Sequence, residues 1–227
     1  MPYELIIFDA DETLFDFKKS QAVALEESVK AHKIEYPYDK LKLVYEEINH
    51  KIWIEFEKGL IKVSDLKVDR FRRLFKALDL NLDPVVFAGT YMEKLSEASF
   101  IYEGVVDLLE RLKDRYKLAI ITNGLSLVQN KRIGQSDIHH YFEEIVISED
   151  VNLVKPDPEI FDYTLEKMGH TSKDSVLMVG DNLKSDILGG IKAGIDTCWL
   201  NPRKKNRDAD IEPTFELESV LEIEDIL

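Results

Sequence analysis

Two aspartates placed two positions apart follow the first apolar run of the chain, and their types and spacing suit phosphoryl transfer. Asp9 comes directly after Leu5–Phe8, and Asp11 stands two positions further on. A carboxylate such as that of Asp9 can attack phosphorus as a nucleophile, and a second carboxyl group can protonate the departing oxygen. Because an acidic turn is more often simply solvated, this hypothesis needs support from other parts of the chain.

Two more polar segments are candidates for contacting a phosphate group. Thr122, Asn123 and Gly124 follow a second apolar run, and a hydroxyl with turn N–H groups at a helix start can hold phosphate oxygens. Lys155 stands ahead of a rigid Pro-Asp-Pro segment and is a candidate partner for an anion. Taken singly, the first segment is equally typical of a strand-to-helix turn, and a single lysine is usually a surface residue.

Asp181 and Asp186 follow a further apolar run, residues 176–179, and offer the oxygen ligands that Mg²⁺ prefers. An acidic residue in the first turn of a helix also interacts favourably with the helix dipole, which would explain Asp186 without any metal. It does not explain a second acid at the end of the apolar run. Together, the four segments predict a metal-assisted phosphoryl-transfer site.

The elements that bring these segments together are predicted from short apolar runs that alternate with helical patterns. Such alternation indicates an α/β fold with a parallel sheet covered on both faces, and ligands bind beyond the carboxyl ends of its strands. The predicted strands are 5–8, 118–121, 145–147 and 176–179. The predicted helices among them are 105–116, 126–133, 158–168 and 184–193.

The stretch from 17 to 98 has a different pattern, with no comparable apolar run. Its periodicity predicts amphipathic helices at 18–32, 38–58, 64–78 and 83–97. The simplest interpretation is a helical cap domain, 17–98, inserted into a catalytic core formed by 1–16 and 99–227. The alternative is an all-helical N-terminal domain with the sheet starting later, which would leave Leu5–Phe8 as an isolated strand.

Composition limits the partners. The chain has 30 Lys and Arg against 44 Asp and Glu, and the resulting net charge of −14 argues against binding nucleic acid polymers. The one basic cluster, residues 203–207, is interpreted as a solvated loop. No apolar run approaches the roughly 20 residues that a membrane helix needs, and no secretory signal is visible. Cys198 is the only cysteine, so no intramolecular disulfide is possible and a cytoplasmic location is expected.

In their order along the chain, these motifs resemble those of the haloacid dehalogenase superfamily. The resemblance rests on Asp9-Ala10-Asp11-Glu12-Thr13, Thr122, Lys155, and Asp181 with Asp186. It implies a Rossmann-like core, and residues 17–98 are similar to the family's small helical cap.

Longer segments look closer still to the bacterial noncanonical pyrimidine 5′-nucleotidases of this superfamily. They are 8–17 (FDADETLFDF), 121–124 (ITNG), 155–165 (KPDPEIFDYTL) and 176–202, which contains SDILGGIKAGIDTCWLNP. One departure is Asn152, which stands where relatives often have glycine. Asparagine is among the few other residues that tolerate a left-handed backbone, so we expect the loop before Lys155 to keep the same backbone conformation.

The residues and the resemblance imply the same division of roles. Asp9 is expected to be the nucleophile that forms an aspartyl-phosphate, and Asp11 the general acid and then the general base. The residues expected to bind phosphate are Thr122, Asn123 and Lys155. Mg²⁺ is the implied cofactor, and its expected ligands are the Asp9 carboxylate, the Asp11 main-chain carbonyl, Asp181 and, through water or from behind the other ligands, Asp186.

An acid at position 11 favours phosphate esters over dehalogenation, because a departing halide needs no proton. The first hypothesis is therefore a Mg²⁺-dependent phosphatase for nucleoside 5′-monophosphates that prefers pyrimidines. The second changes the substrate to a sugar phosphate or another small phosphomonoester, and the third is a catalytically idle binding module. The expected partner is a small phosphomonoester, with no nucleic acid polymer and no membrane, and the expected state is a monomer or weak homodimer.

Overall fold

The computed structural model describes residues 3–227. The chain divides into two compact units: one comprises the chain up to Lys18 together with Ser99–Leu227, and the other comprises Lys19–Ala98. The insertion predicted from the sequence, 17–98, spans nearly the same residues as the second unit. Among the described residues, no helix is long and apolar enough to cross a membrane.

The first unit is built on one parallel sheet. Its strands, in chain order, are β1 (Leu5–Phe8), β2 (Lys117–Thr122), β3 (Glu144–Ile147), β4 (Val176–Gly180), β5 (Asp196–Leu200) and β6 (Phe215–Leu217). Their order across the sheet is β3-β2-β1-β4-β5-β6. β1 is central, because Leu5 pairs in register with Lys117 on one side and Val176 on the other. The predicted α/β class is confirmed.

The α-helices follow the predicted pattern. In chain order they are α1 (Phe17–Ala31), α2 (Tyr38–Glu57), α3 (Val63–Ala77), α4 (Pro84–Glu97), α5 (Val105–Leu112), α6 (Ser126–Gly134), α7 (Ser148–Val151), α8 (Pro158–Lys167) and α9 (Leu188–Ala193). The ends of α1 to α4 lie within one residue of the predicted ones. The predicted helix 184–193 is divided, because a π-helical turn, Leu183–Ile187, precedes α9.

Both faces of the sheet are covered, which explains why its strands read as continuous apolar runs. Successive side chains of a strand point to opposite faces. On one face, Ile6 and Phe8 belong to a buried cluster that includes Leu109 of α5. On the other face, Leu5 and Ile7 pack in a cluster with Phe161 of α8. This double burial holds the strand ends, and hence the residues beyond them, in place.

The second unit is a helical bundle with an aromatic interior. The ring of Phe71 on α3 lies 4.9 Å from the ring of Phe87 and 5.0 Å from that of Tyr91, both on α4. The start of α4 is set by Asp83, whose side chain accepts the N–H of Val85 at 2.8 Å. Local capping and apolar periodicity therefore account for these helices.

Candidate active site

Three predicted site residues lie at the same edge of the sheet. Asp9 follows β1, Thr122 ends β2, and Asp181 follows β4, and these strands are neighbours in the order β2-β1-β4. The N–H of Asp9 donates to the carbonyl of Val179 at 2.8 Å, which extends the β1–β4 pairing into the site. Asp9 and Thr122 are both buried.

Lys155 reaches into this edge from the loop after α7. Its ammonium group donates to Asp9 Oδ1, to Asp186 Oδ1 and to the carbonyl of Ile121, each at 2.7 Å. These contacts match the three N–H donors of a lysine ammonium. Burial acts to lower the pKa of Lys155, but the charges of Asp186 and Asp9 outweigh it and hold that pKa above its ordinary value. Lys155 is therefore a buried cation shared by two carboxylates.

Asn123 holds the Lys155 loop against the end of β2. Its side-chain Nδ2 donates to the carbonyl of Lys155 and its Oδ1 accepts the Lys155 N–H, both at 2.9 Å. Earlier in the same loop, Asn152 adopts the left-handed conformation expected for it, with φ of 55°. Asn123 is predicted from the sequence to bind phosphate. In the structure, its side chain holds the backbone of Lys155.

Asp9, Asp181 and Asp186 form an acidic cluster. Each offers a carboxylate oxygen, and these three oxygens lie within 4.8 Å of one another. Burial, with repulsion from Asp186 and Asp9, raises the pKa of Asp181 to about 8. Burial also raises the pKa of Asp9, against the opposing effect of Lys155. Clustered carboxylates in this condition match the donor set of a hard divalent cation such as Mg²⁺.

The backbone around Asp186 shows why this carboxylate takes its position. Asp186 is fully buried in the π-helical turn, where its Oδ2 accepts the N–H of Asn182 at 3.0 Å. Gly180 makes room for it, because a Cβ at that position would lie 2.3 Å from Asp186 Oδ2. Gly180 was not among the predicted site residues, although a glycine at a strand end is a recognised signal for close approach.

Asp11 contacts two residues that the sequence analysis missed. Its Oδ1 accepts from Arg132 Nη2, and its Oδ2 accepts from Gln129 Nε2 at 3.0 Å. Both partners lie on the buried face of α6. Burial lowers the pKa of Arg132 to about 10, so the guanidinium keeps its charge near neutral pH. Two polar residues three positions apart on an otherwise apolar helix face were the available signal.

A cavity of about 470 Å³ lies beside Asp181 in the first unit. Its walls include Glu12, Tyr102 and, from the basic segment 203–207, Arg203 and Lys205. Arg203 and Lys205 are exposed, as expected for a solvated loop. Asp181 can therefore be reached from solvent, which the entry of a metal ion requires.

Comparison with known proteins agrees with this geometry. A family model of haloacid dehalogenase-like hydrolases matches residues 6–200, which include the strand ends that carry the acidic cluster. The chain belongs to this haloacid dehalogenase-like hydrolase family. Its membership, predicted from the motifs, is confirmed.

Individual haloacid dehalogenase-like hydrolases are similar over their full length. Pyrimidine 5′-nucleotidase YjjG of Escherichia coli (strain K12) is 36% identical over 227 residues, covering 100% of this chain and 99% of the relative. Pyrimidine 5′-nucleotidase PynA of Streptococcus pneumoniae is 34% identical, covering 100% of this chain and 96% of the relative. The magnesium-bound crystal structure of HAD-hydrolase YfnB from Bacillus subtilis has a TM-score of 0.94 at 34% identity, covering 100% of this chain and 99% of that one.

Proposed function

We propose that this chain is a Mg²⁺-dependent phosphomonoester hydrolase that acts through an aspartyl-phosphate formed on Asp9. The observation that supports this most directly is the placement of Asp9. It lies buried at the end of the central strand, hydrogen-bonded to Lys155 and clustered with Asp181 and Asp186. A carboxylate and an anionic phosphate repel each other, so the carboxylate can attack only where a nearby positive charge offsets that repulsion. Lys155 supplies such a charge beside Asp9.

The chain's own residues then divide the reaction between them. Asp9 attacks phosphorus and releases the alkoxide, to which Asp11 gives a proton. Asp11 next takes a proton from the water that hydrolyses the aspartyl-phosphate, which frees inorganic phosphate and restores Asp9. Thr122 and nearby backbone N–H groups hold the phosphoryl oxygens, while Lys155 offsets their charge.

The donor set fits magnesium. The proposed ligands are the carboxylates of Asp9 and Asp181 and the main-chain carbonyl of Asp11, with Asp186 acting either through water or by contacting the other ligands. All of these donors are oxygen atoms, and the raised pKa of Asp181 indicates a carboxylate that a cation would stabilise in its charged form. When bound, Mg²⁺ would supply positive charge that screens the phosphoryl oxygens from the carboxylates.

For the substrate, we propose a pyrimidine nucleoside 5′-monophosphate. The support comes from relatives that are named pyrimidine 5′-nucleotidases and are 34–36% identical over the full length of this chain. The inserted helical unit is proposed to act as the cap that selects the leaving group. A sugar phosphate is the second candidate, because the catalytic residues act on the phosphoryl group and do not distinguish the two.

The experiment is phosphate release from a panel of nucleoside monophosphates and sugar phosphates, with Mg²⁺ and with excess chelator. We expect release that the chelator abolishes and that is fastest from UMP, dUMP or dTMP. Faster release from a sugar phosphate would keep the mechanism and replace the substrate. No release from any compound in the panel would favour the idle binding module.

A further inference from the structure

Gln129 stands where two predicted catalytic motifs meet. It is 1% exposed, and its side chain bonds three other site residues. Its Nε2 donates to Asp11 Oδ2 at 3.0 Å and to Thr122 Oγ1 at 2.7 Å. Its Oε1 accepts from Arg132 Nη2 at 2.7 Å. One amide therefore links the motif after β1 with the motif after β2.

The chemistry of the partners sets the orientation of this amide. A guanidinium only donates, so the group that faces Arg132 must be the carbonyl oxygen of Gln129. The amide N–H₂ then points to the other side, where Asp11 Oδ2 and Thr122 Oγ1 accept its two N–H groups. The reverse orientation would place N–H against N–H at Arg132 and oxygen against oxygen at Asp11. The network therefore has a single consistent arrangement.

This arrangement defines what the Thr122 hydroxyl can do. Thr122 Oγ1 accepts one hydrogen bond from the N–H of Gly124 at 3.0 Å and a second from Gln129. A hydroxyl has two acceptor positions and one proton to donate. With both acceptor positions used, the proton is what remains for a ligand. Phosphoryl oxygens offer only lone pairs, so the hydroxyl is already set as their donor.

Asp11 is held on both of its oxygens by the same pair of residues. Gln129 binds Oδ2 and Arg132 contacts Oδ1. Arg132 itself packs against two rings, since its guanidinium carbon lies 5.1 Å from the ring centre of Phe15 and 4.8 Å from that of Phe17. Its Nε and Nη1 have no hydrogen-bond partner among the described residues, so its polar contacts are directed at Asp11 and Gln129.

The glycine after Asn123 makes this reach possible. A Cβ at Gly124 would lie 2.4 Å from Gln129 Nε2 and 2.6 Å from its Cδ. The backbone of Gly124 is not among the positive-φ positions, so alanine suits the local conformation. An alanine at position 124 would therefore act chiefly by displacing the side chain of Gln129.

We propose that Gln129, supported by Arg132, is a positioning residue that aligns the proton donor Asp11 and the phosphate-binding hydroxyl of Thr122 at the same time. This inference rests on the proposed phosphatase function. It adds a requirement to that function: the two motifs act together only while the amide of Gln129 connects them.

The first test compares Gln129→Glu with Asn130→Asp. The control makes the same isosteric change from amide to carboxylate on α6, at an exposed residue whose Nδ2 donates to Ser126 Oγ and to the carboxylate of Asp150. In the test variant, a carboxylate oxygen would face Asp11 and would take the Thr122 proton. The measured quantity is kcat/KM for p-nitrophenyl phosphate, whose leaving group needs no proton, and for the alkyl phosphate that the wild-type enzyme hydrolyses fastest.

We expect Gln129→Glu to lower kcat/KM for the alkyl phosphate about 100-fold, the scale of losing one preorganised donor. The loss should exceed that for the aryl ester by about tenfold, because only the alkyl ester depends on the Asp11 proton. Asn130→Asp should change either value by less than about twofold. Equal losses for both esters in Gln129→Glu would overturn the inference, since a merely structural role lowers both alike.

Gly124→Ala gives an independent variant in which Gln129 keeps its identity. It should reproduce the preferential loss on the alkyl ester, and an unchanged ratio of kcat/KM for the two esters would contradict the inference.

The second measurement needs no turnover: binding of inorganic phosphate by calorimetry, with Mg²⁺ present. We expect phosphate affinity to fall about tenfold or more in Gln129→Glu and to stay unchanged in Asn130→Asp. Equal affinity in wild type and Gln129→Glu overturns the inference, whereas an inactive wild type that still binds phosphate contradicts only the proposed function.

Discussion

At the scale of single residues, the acidic cluster balances the buried cation Lys155 against several carboxylates. Lys155 shares its ammonium between Asp9 and Asp186, and Asp181 lies beside them. Burying any one of these charged groups alone would destabilise the fold, whereas the attraction between opposite charges offsets that cost when they are buried together. Substitutions here should therefore separate chemical roles from structural ones.

Asp9→Asn tests the nucleophile. The amide has nearly the same shape as the carboxylate but cannot form an aspartyl-phosphate, so we expect turnover to fall by about 10⁴-fold or more. Far-ultraviolet circular dichroism should remain that of the wild type. Activity close to the wild-type level in this variant would contradict the mechanism.

Lys155→Met tests the charge balance. Removing the cation leaves Asp9 and Asp186 buried without their shared partner, and we expect the free energy of unfolding to fall by about 3 kcal/mol. Denaturant unfolding measures the change, and phosphate release should be lost. The control is Lys192→Met, at an exposed position of α9, with an expected change within about 0.5 kcal/mol. Equal stability of the two variants would mean that Lys155 does not offset the buried charges of Asp9 and Asp186.

At the scale of elements, two glycines let α9 pack closely against the sheet and against α8. Gly190 allows this approach, because a Cβ there would lie 2.6 Å from Thr197 Cγ2 of β5. Gly189 does the same toward Phe161 of α8, with a distance of 2.7 Å to its Cε2. The GG pair in the sequence is thus a packing feature.

Gly190→Ala should lower the free energy of unfolding by about 1–3 kcal/mol through overpacking, with kcat of the folded enzyme nearly unchanged. Gly134→Ala is the matched control at the end of α6. A Cβ there meets nothing within 4 Å, so we expect a neutral effect or a gain of up to about 1 kcal/mol. Urea unfolding compares the two, and a neutral Gly190→Ala would show that α9 can move away from β5.

At the scale of the whole molecule, metal binding and stability are coupled through pH. Folding raises the pKa of Asp181 from 3.8 to about 8, chiefly by burial. A carboxyl group with a raised folded-state pKa contributes stability that is complete below about pH 4 and is lost as pH rises towards 8. A bound divalent cation removes this penalty, because it stabilises the charged carboxylate.

We therefore expect the melting temperature of the metal-free protein to fall by about 3 °C or more between pH 5 and pH 8. Added Mg²⁺ should restore most of the loss at pH 8 and little of it at pH 5. Thermal unfolding monitored by fluorescence checks both statements. In Asp181→Asn the melting temperature should change less with pH. A wild-type melting temperature that does not change with pH would contradict the burial of the Asp181 carboxyl group.

Much of the fold was predictable because its determinants are local. Apolar runs predicted β1 to β4, and amphipathic periodicity predicted α1 to α4 to within one residue. Strands β5 and β6 were not predicted, because β5 begins with Asp196 and Thr197 and β6 has only three residues, so neither is a long apolar run. These strands are defined by pairing with a neighbour, which a local pattern does not contain.

The sequence by itself determined that Asp9 and Asp181 lie close together, because each follows an apolar run and the parallel pairing of those runs brings their ends to one edge of the sheet. Only the tertiary structure decided how the chemistry of the site is aligned. Gln129 and Arg132 meet Asp11 from 118 and 121 residues away in the chain. Along α6 they are two polar residues three positions apart, a spacing that does not identify their partner, and they reach Asp11 only because the helix turns that face towards the site. Orientation depends on contacts between distant segments, and spacing along one segment cannot encode it.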